Sequence, residues 1–139
     1  MNNDLHDFEQ FMKRREEASR AWTQGDAELL GQIVTRSSPA TFFGPNGDYS
    51  QGAEEVASTY EHGASMFEQG SEFNFKILQM AASDGIAYWV GFMQGEARMR
   101  GKSEAIPMNL RVTEVFHREN KGWKMVHRHA DTLAPQAKD

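Results

Sequence analysis

The sequence contains no cysteine. That excludes a disulfide scaffold, thiolate ligation of zinc or of an iron–sulfur cluster, and thiol catalysis. Basic charge is also scarce. Fifteen Lys and Arg stand against twenty Asp and Glu, a net charge of −5, so the electrostatic footprint of a nucleic-acid binder is missing. No apolar run reaches the roughly 18 residues that a bilayer-spanning helix needs. Met1 to His6 lack the basic-then-apolar pattern of a secretion signal. What remains is a 139-residue chain, 39% apolar and 11% aromatic, long enough for one hydrophobic core. The expectation is a single cytoplasmic domain over residues 1–139, with neither nucleic acid nor membrane as a partner.

Periodicity divides the chain in two. Leu5, Phe8, Phe11, Met12, Ala18 and Trp22 recur at three- and four-residue spacing behind a candidate N-cap, Asp4, which predicts a long amphipathic helix ending near Gly25. The charged run Lys13–Glu17 sits mostly on the other face of that helix and reads as a solvated surface. Asp26 is read as the cap of a second, shorter helix carrying Leu29, Leu30, Ile33 and Val34. Ala40–Phe43 predicts a short strand, and Gly44-Pro45-Asn46-Gly47 a turn. After Gly52, Val56, Ala57, Tyr60, Ala64 and Phe67 mark a third helix, with Gly70 as its stop.

Beyond that point the period changes to two. Phe73, Phe75 and Ile77 alternate with polar residues, Ser83-Asp84-Gly85 forms a turn, and Ile86–Met93 reads as a central strand covered on both faces. Strands over 104–119 and 123–131 complete an antiparallel meander. Helices followed by strands predict an α+β fold, with the helices on one face of a curved sheet.

The last hairpin can be registered from its turn. A three-residue loop, Asn120-Lys121-Gly122, places glycine at the left-handed position of a bulged turn and pairs Glu119 with Trp123. Glu114 then faces Arg128 and Arg111 faces Asp131, two opposite-charge pairs on opposite faces. A two-residue loop gives neither pair. In the preferred register Leu110, Val112, Glu114, Phe116, Val126, Arg128 and Ala130 share the face turned to the helices. Arg111, Thr113, Val115, His117, Trp123, Met125, His127, His129 and Asp131 share the other.

Several segments taken in order resemble a known family. They are Ala21-Trp22-Thr23-Gln24-Gly25-Asp26, Phe42-Phe43-Gly44-Pro45-Asn46-Gly47, Gly52-Ala53-Glu54-Glu55-Val56, Arg111–Arg118 and Gly122–Asp131. Together, from about residue 5 to residue 133, they resemble the SnoaL-like branch of the nuclear transport factor 2-like superfamily, which also holds ketosteroid isomerases. The Gly-x-Trp-x-x-x-His-x-His ending is also similar to the association domain of calcium/calmodulin-dependent kinase II. The resemblance implies a cystatin-like cone: a bent antiparallel sheet around a pocket, closed by the N-terminal helix and paired as a homodimer through sheet faces. It implies a small-molecule ligand and cofactor-free acid–base chemistry of isomerase, lyase or cyclase type. A non-catalytic dimerisation or regulatory module is the alternative.

The same resemblance argues against classical ketosteroid isomerisation. The family's catalytic Tyr falls on Ala18 and its Asp on Gly44, so both proton-handling groups are absent. The positions of the association domain's pocket arginines are occupied by Val90, Glu114 and Ala130, so that mode of holding an anion is not carried over. Fold alone does not assign an activity.

The residues themselves nominate Glu114 and Arg128 as the polar, catalytic end of a site. They could orient a ligand, or Glu114 could act as a base if burial raises its pKa. An ordinary ion pair that sets the sheet register is the plainer alternative. Trp22, Phe43, Tyr60, Tyr88 and Phe92 are candidates to line one ligand cavity, and the methionines to fill the core around it. His127, His129 and Asp131 alternate along one strand face, but no third strand offers a converging ligand, so neither a metal nor a cofactor is expected.

Overall fold

In the computed structural model, which describes residues 3–120 and 122–135, the expected apolar stripes form three helices. They are α1 (Asp4–Trp22), α2 (Glu28–Ile33) and α3 (Ala53–Ala64). Two short strands, β1 (Thr41–Phe43) and β2 (Tyr49–Gln51), separate α2 from α3. Four long strands follow: β3 (Glu72–Ser83), β4 (Ile86–Ala97), β5 (Ile106–Glu119) and β6 (Gly122–Thr132). The strands form one sheet in the order β2-β1-β6-β5-β4-β3, curved and unclosed, and the helices lie on one side of it. This is the expected α+β, cystatin-like arrangement. No helix among the described residues is long and apolar enough to cross a membrane.

The core lies between α1 and the inner face of the sheet. Phe8 packs against Phe116 at 5.2 Å and Trp123 at 5.5 Å between ring centroids, and Phe11 meets Phe116 at 5.4 Å. Burying an aromatic or large aliphatic side chain contributes about 1.5–3 kcal/mol, so this cluster is what ties the long helix to β5 and β6. Glycine lets the sheet bend. A Cβ on Gly91 would stand 2.1 Å from the Lys76 carbonyl oxygen, so any side chain there would force β3 and β4 apart.

Several expectations are corrected, among them Asp26 as the cap of α2, where Ala27 holds the N-cap position. Asp4 is not the N-cap. Asn3 holds that position, and the Asp4 carboxylate instead accepts hydrogen bonds from the Gly85 amide at 2.9 Å and from Arg118 at 2.6 Å. α3 ends at Ala64, short of Gly70, and β2 is an additional strand whose three residues carry too little pattern to be read. The β3–β4 turn forms as expected, with Asp84 and Gly85 both at positive φ. β4, however, is fully buried on one face only: Ala87, Trp89, Gly91 and Met93 are buried, while Tyr88, Val90 and Phe92 are half-buried on the outer face.

The final hairpin combines the two registers. Glu119 pairs with Gly122, not Trp123, so two residues separate the paired ends, and Asn120 adopts φ +56°. Lys121, part of the expected three-residue loop, lies outside the described residues, as do Met1 and Asn2. Asparagine tolerates the left-handed region better than most residues, which makes the shorter connection accessible. Between Phe116 and Val115 the register shifts, because Val126 is an unpaired bulge. Past the bulge Glu114 faces Arg128 and Arg111 faces Asp131, as expected. Toward the tip the parity is inverted, and Trp123 and Met125 turn inward beside Phe116, contrary to their expected outward placement. Each face-flip costs one unpaired residue, and here it buries a Trp and a Met.

Candidate functional site

Helical spacing places an arginine in the core. Phe11, Met12, Ala18 and Ser19 line the buried stripe of α1, and Arg15 lies three or four residues from each of them. It is 2% exposed. The reading of the 13–17 run as mostly a solvated face therefore fails at Arg15. The signal was available, because position 15 is the one gap in an otherwise apolar stripe.

Arg15 meets Glu114 from β5. Its Nε donates to Glu114 Oε1 at 2.8 Å and its Nη2 to Oε2 at 2.6 Å. Trp89 Nε1, from the neighbouring β4, donates to Oε1 at 2.7 Å, and Arg128 Nη1, from β6, donates to Oε2. Glu114 has no solvent exposure, and all three partners are buried. Arg15 also lies 5.3 Å above the Phe75 ring, which stacks on Trp89 at 4.6 Å. Three elements thus converge on a carboxylate that a fourth, β5, supplies.

The electrostatics follow from that count. Burial by itself would raise the Glu114 pKa. The guanidiniums of Arg15 and Arg128 outweigh it, helped by the hydrogen bonds from Arg15 and Trp89, and hold the carboxyl at about 2. Burial would lower the Arg15 pKa, but Glu114 outweighs that too and raises it. A base whose pKa is far below neutrality is a poor proton acceptor. The condition under which Glu114 could serve as a base, a raised pKa, is not met. The Tyr60 hydroxyl is pushed upward by burial and stays protonated.

Above this cluster lies a cavity of about 320 Å³. Arg15, Arg128, Met93 and Leu110 border its inner end. Trp22, Phe42, Tyr60, Phe67 and the methionines Met99 and Met108 border its sides. Pro45 and Asn46 of the β1–β2 turn and His62 and Met66 near the end of α3, all exposed, border its mouth. Trp22 is held in place by α3: its Nε1 donates to the Tyr60 carbonyl at 2.8 Å and its ring lies against Gly63, where a Cβ would stand 2.6 Å from the ring. Arg128 Nη2 has the Met93 sulfur at 3.6 Å, and Arg15 Nη1 is buried without an acceptor.

Of the five aromatic candidates, the structure brings Trp22 and Tyr60 to this cavity. Phe43 lies on the opposite face of the sheet, 41% exposed, with its ring 5.0 Å from His127 and 5.5 Å from His129, and its neighbour Phe42 points into the cavity instead. Tyr88 hydrogen-bonds Gln79 on the outer face, and Phe92 borders a shallow depression there beside Arg111 and His129. The cause is strand alternation. On β4 the odd residues Trp89 and Met93 face inward, and an unbroken apolar run gives no sign of which parity does so. On the outer face Arg111 forms a bidentate pair with Asp131 at 2.6 and 2.8 Å, and His127 Nδ1 lies 2.7 Å from Thr41 Oγ1. Among the described residues, no three His, Asp or Glu side chains converge as metal ligands. His6, His62 and His117 are exposed.

Comparison with known proteins places this geometry. A family model for the SnoaL-like domain matches residues 14–135. No curated protein matches in sequence. Among solved structures, one named a candidate dehydratase of the nuclear transport factor 2-like family, from Streptomyces avermitilis, is similar at TM-score 0.73 and 18% identity, over 91% of this chain and 96% of that one. A ketosteroid isomerase-like protein from Erwinia carotovora atroseptica is similar at TM-score 0.73 and 15% identity, over 97% and 100%. A candidate kinase type II association domain from Thiobacillus denitrificans is similar at TM-score 0.65 and 18% identity, over 84% and 89%. At these identities the likeness is one of fold.

Proposed function

The chain belongs to the SnoaL-like domain family, and from that premise we propose that its cavity binds a small, mainly apolar organic molecule, with Arg128 at the polar end. The observation that carries the reading is the cavity itself. Its 320 Å³ falls at the lower end of the roughly 300–1,000 Å³ typical of small-ligand sites, and its walls are aromatic and methionine-rich with a few polar groups at one end.

In this reading Glu114 is a positioning residue. Three of its four hydrogen bonds hold the two guanidiniums in place, the fourth comes from Trp89, and it does not exchange a proton with the ligand. Binding, as opposed to acid–base turnover, is therefore the function that the geometry supports best. Among the described residues, the titratable groups that border the cavity besides the two arginines are Tyr60, kept protonated, and His62 at the exposed mouth. Ala18 and Gly44 stand where steroid isomerases carry their Tyr and Asp, which supports the same choice.

A cytoplasmic homodimer formed through the outer sheet face belongs to this reading. Leu78, the bulged residue of β3, is 55% exposed there, next to the half-buried Tyr88, Val90 and Phe92. Apolar surface of this kind is typical of an interface core.

The test of the pocket is to fill it. Ala130 borders the cavity and is buried. An Ala130→Phe variant that keeps its circular dichroism spectrum is expected to lose binding of 8-anilinonaphthalene-1-sulfonate, followed by probe fluorescence. Equal binding by the folded variant and the wild type would place the probe elsewhere and defeat the reading.

A further inference from the structure

We infer that the cavity selects an organic monoanion, a carboxylate with an apolar body, and that the Arg15–Arg128 pair recognises its charged end. The inference rests on the proposed binding reading and adds the chemical class of the ligand.

The buried cluster does not balance its charge. Two guanidiniums share one carboxylate, so Arg15, Arg128 and Glu114 together leave one positive charge inside the protein. Isolated buried charge is costly, and proteins ordinarily pair it. Among the described residues, no aspartate or glutamate borders the cavity to supply the missing charge. The other buried carboxylate among the described residues, Asp4, is tied to Arg118 at 2.6 Å at the far end of α1. The uncompensated charge therefore belongs to the two arginines, and both of them border the cavity.

Hydrogen-bonding capacity points the same way. Guanidinium offers five donors. Arg15 spends Nε and Nη2 on Glu114 and leaves Nη1 buried without an acceptor. Arg128 spends Nη1 on Glu114 and offers Nη2 only a weak thioether acceptor, Met93 Sδ at 3.6 Å. Unused charged donors at the inner end of an apolar cavity suit an acceptor that enters from the cavity, and an ionised acceptor gains most from them. One missing negative charge matches a carboxylate. A phosphate monoester, carrying about −1.5 to −2 at neutral pH, would overshoot it.

Calorimetric titration with one apolar body and three ends tests this: 4-phenylbutyrate, 4-phenylbutan-1-ol and 4-phenylbutylamine at pH 7. The carboxylate is expected to bind at least ten-fold tighter than the alcohol, and the amine weakest of the three. Arg15→Met, which neutralises the cluster, is expected to bring acid and alcohol to within about three-fold of each other. If that variant does not fold, the order of the three ligands on the wild type decides alone. Alcohol and acid binding equally to the wild type would overturn the anion inference and leave the binding reading standing. Binding by none of the three would overturn both.

Discussion

Two opposite-charge pairs bridge the same two strands in the same register: Glu114 with Arg128 and Arg111 with Asp131. Their chemistry is alike, and their surroundings differ. Glu114 is sealed on the inner face, with a second arginine from α1 and an indole N–H completing its shell. Arg111 and Asp131 meet on the outer face, with side chains 61% and 32% exposed. Water stabilises the outer charges whether or not they touch, so their pairing adds little. The inner charges depend on one another and on Trp89, so removal of the shared carboxylate strands both arginines. The same cross-strand pattern is thus incidental to stability on one face and carries much of it on the other.

The largest expected effect comes from removing the shared carboxylate. Glu114→Ala leaves two buried guanidiniums without an acceptor and is expected to cost about 3–5 kcal/mol, read as a lower urea midpoint at constant slope. That is a large share of the roughly 5–15 kcal/mol that stabilises an ordinary domain. Arg15→Met is expected to cost less, about 1–3 kcal/mol, because Glu114 keeps Arg128 and Trp89 and the residual positive charge disappears. If Arg15→Met proved as damaging as Glu114→Ala, Arg15 would be a structural keystone and not a surplus charge.

Acid sharpens the same contrast. Glu114 is held at about 2 in the folded state against 4.5 as the ordinary value. A depressed carboxylate contributes stability that is complete above its unfolded pKa and is lost as pH falls through the folded one. Stability is therefore expected to fall between pH 4.5 and pH 2, and Glu114→Gln to flatten much of that decline. Asp131 is also lowered, chiefly by its hydrogen bond from Arg111, yet it stands in solvent. Asp131→Asn is expected to leave the acid limb nearly as in the wild type. The smallest effect is expected from Arg111→Ala, whose midpoint in moderate salt should be indistinguishable from wild type in thermal melts. A clear loss there would mean that the outer face is covered, as in the proposed homodimer.

Much of the molecule was legible from residues alone. The long helix, the change from a period near 3.6 to a period of 2, the Asp84-Gly85 turn and the two cross-strand pairs all follow from local pattern and charge. The site was legible in part. Glu114 and Arg128 were visible through the hairpin register, Trp22 and Tyr60 through their helical stripes. Arg15 was concealed by charged neighbours, although its spacing from Phe11 and Ala18 marks it as core. Phe42, Trp89 and Met93 were missed for a different reason: in an unbroken apolar strand the two parities look the same, and only the position of the helices says which faces inward.

The hairpin tip marks the limit of what local pattern can decide. Glycine at position 122 and the charge pairing together favoured one uniform register, but the protein uses the two-residue connection and recovers the pairing with a bulge at Val126. Sequence by itself determined which charges would face each other, because opposite charges across a strand pair constrain register over a few residues. Tertiary structure decided which pair would be buried, that Trp123 and Met125 would turn into the core, and that Arg15 would add one positive charge more than Glu114 balances. Those outcomes depend on the packing of α1 against the sheet. Packing is set by residues a hundred positions apart in the chain, and no periodicity within a single segment records it.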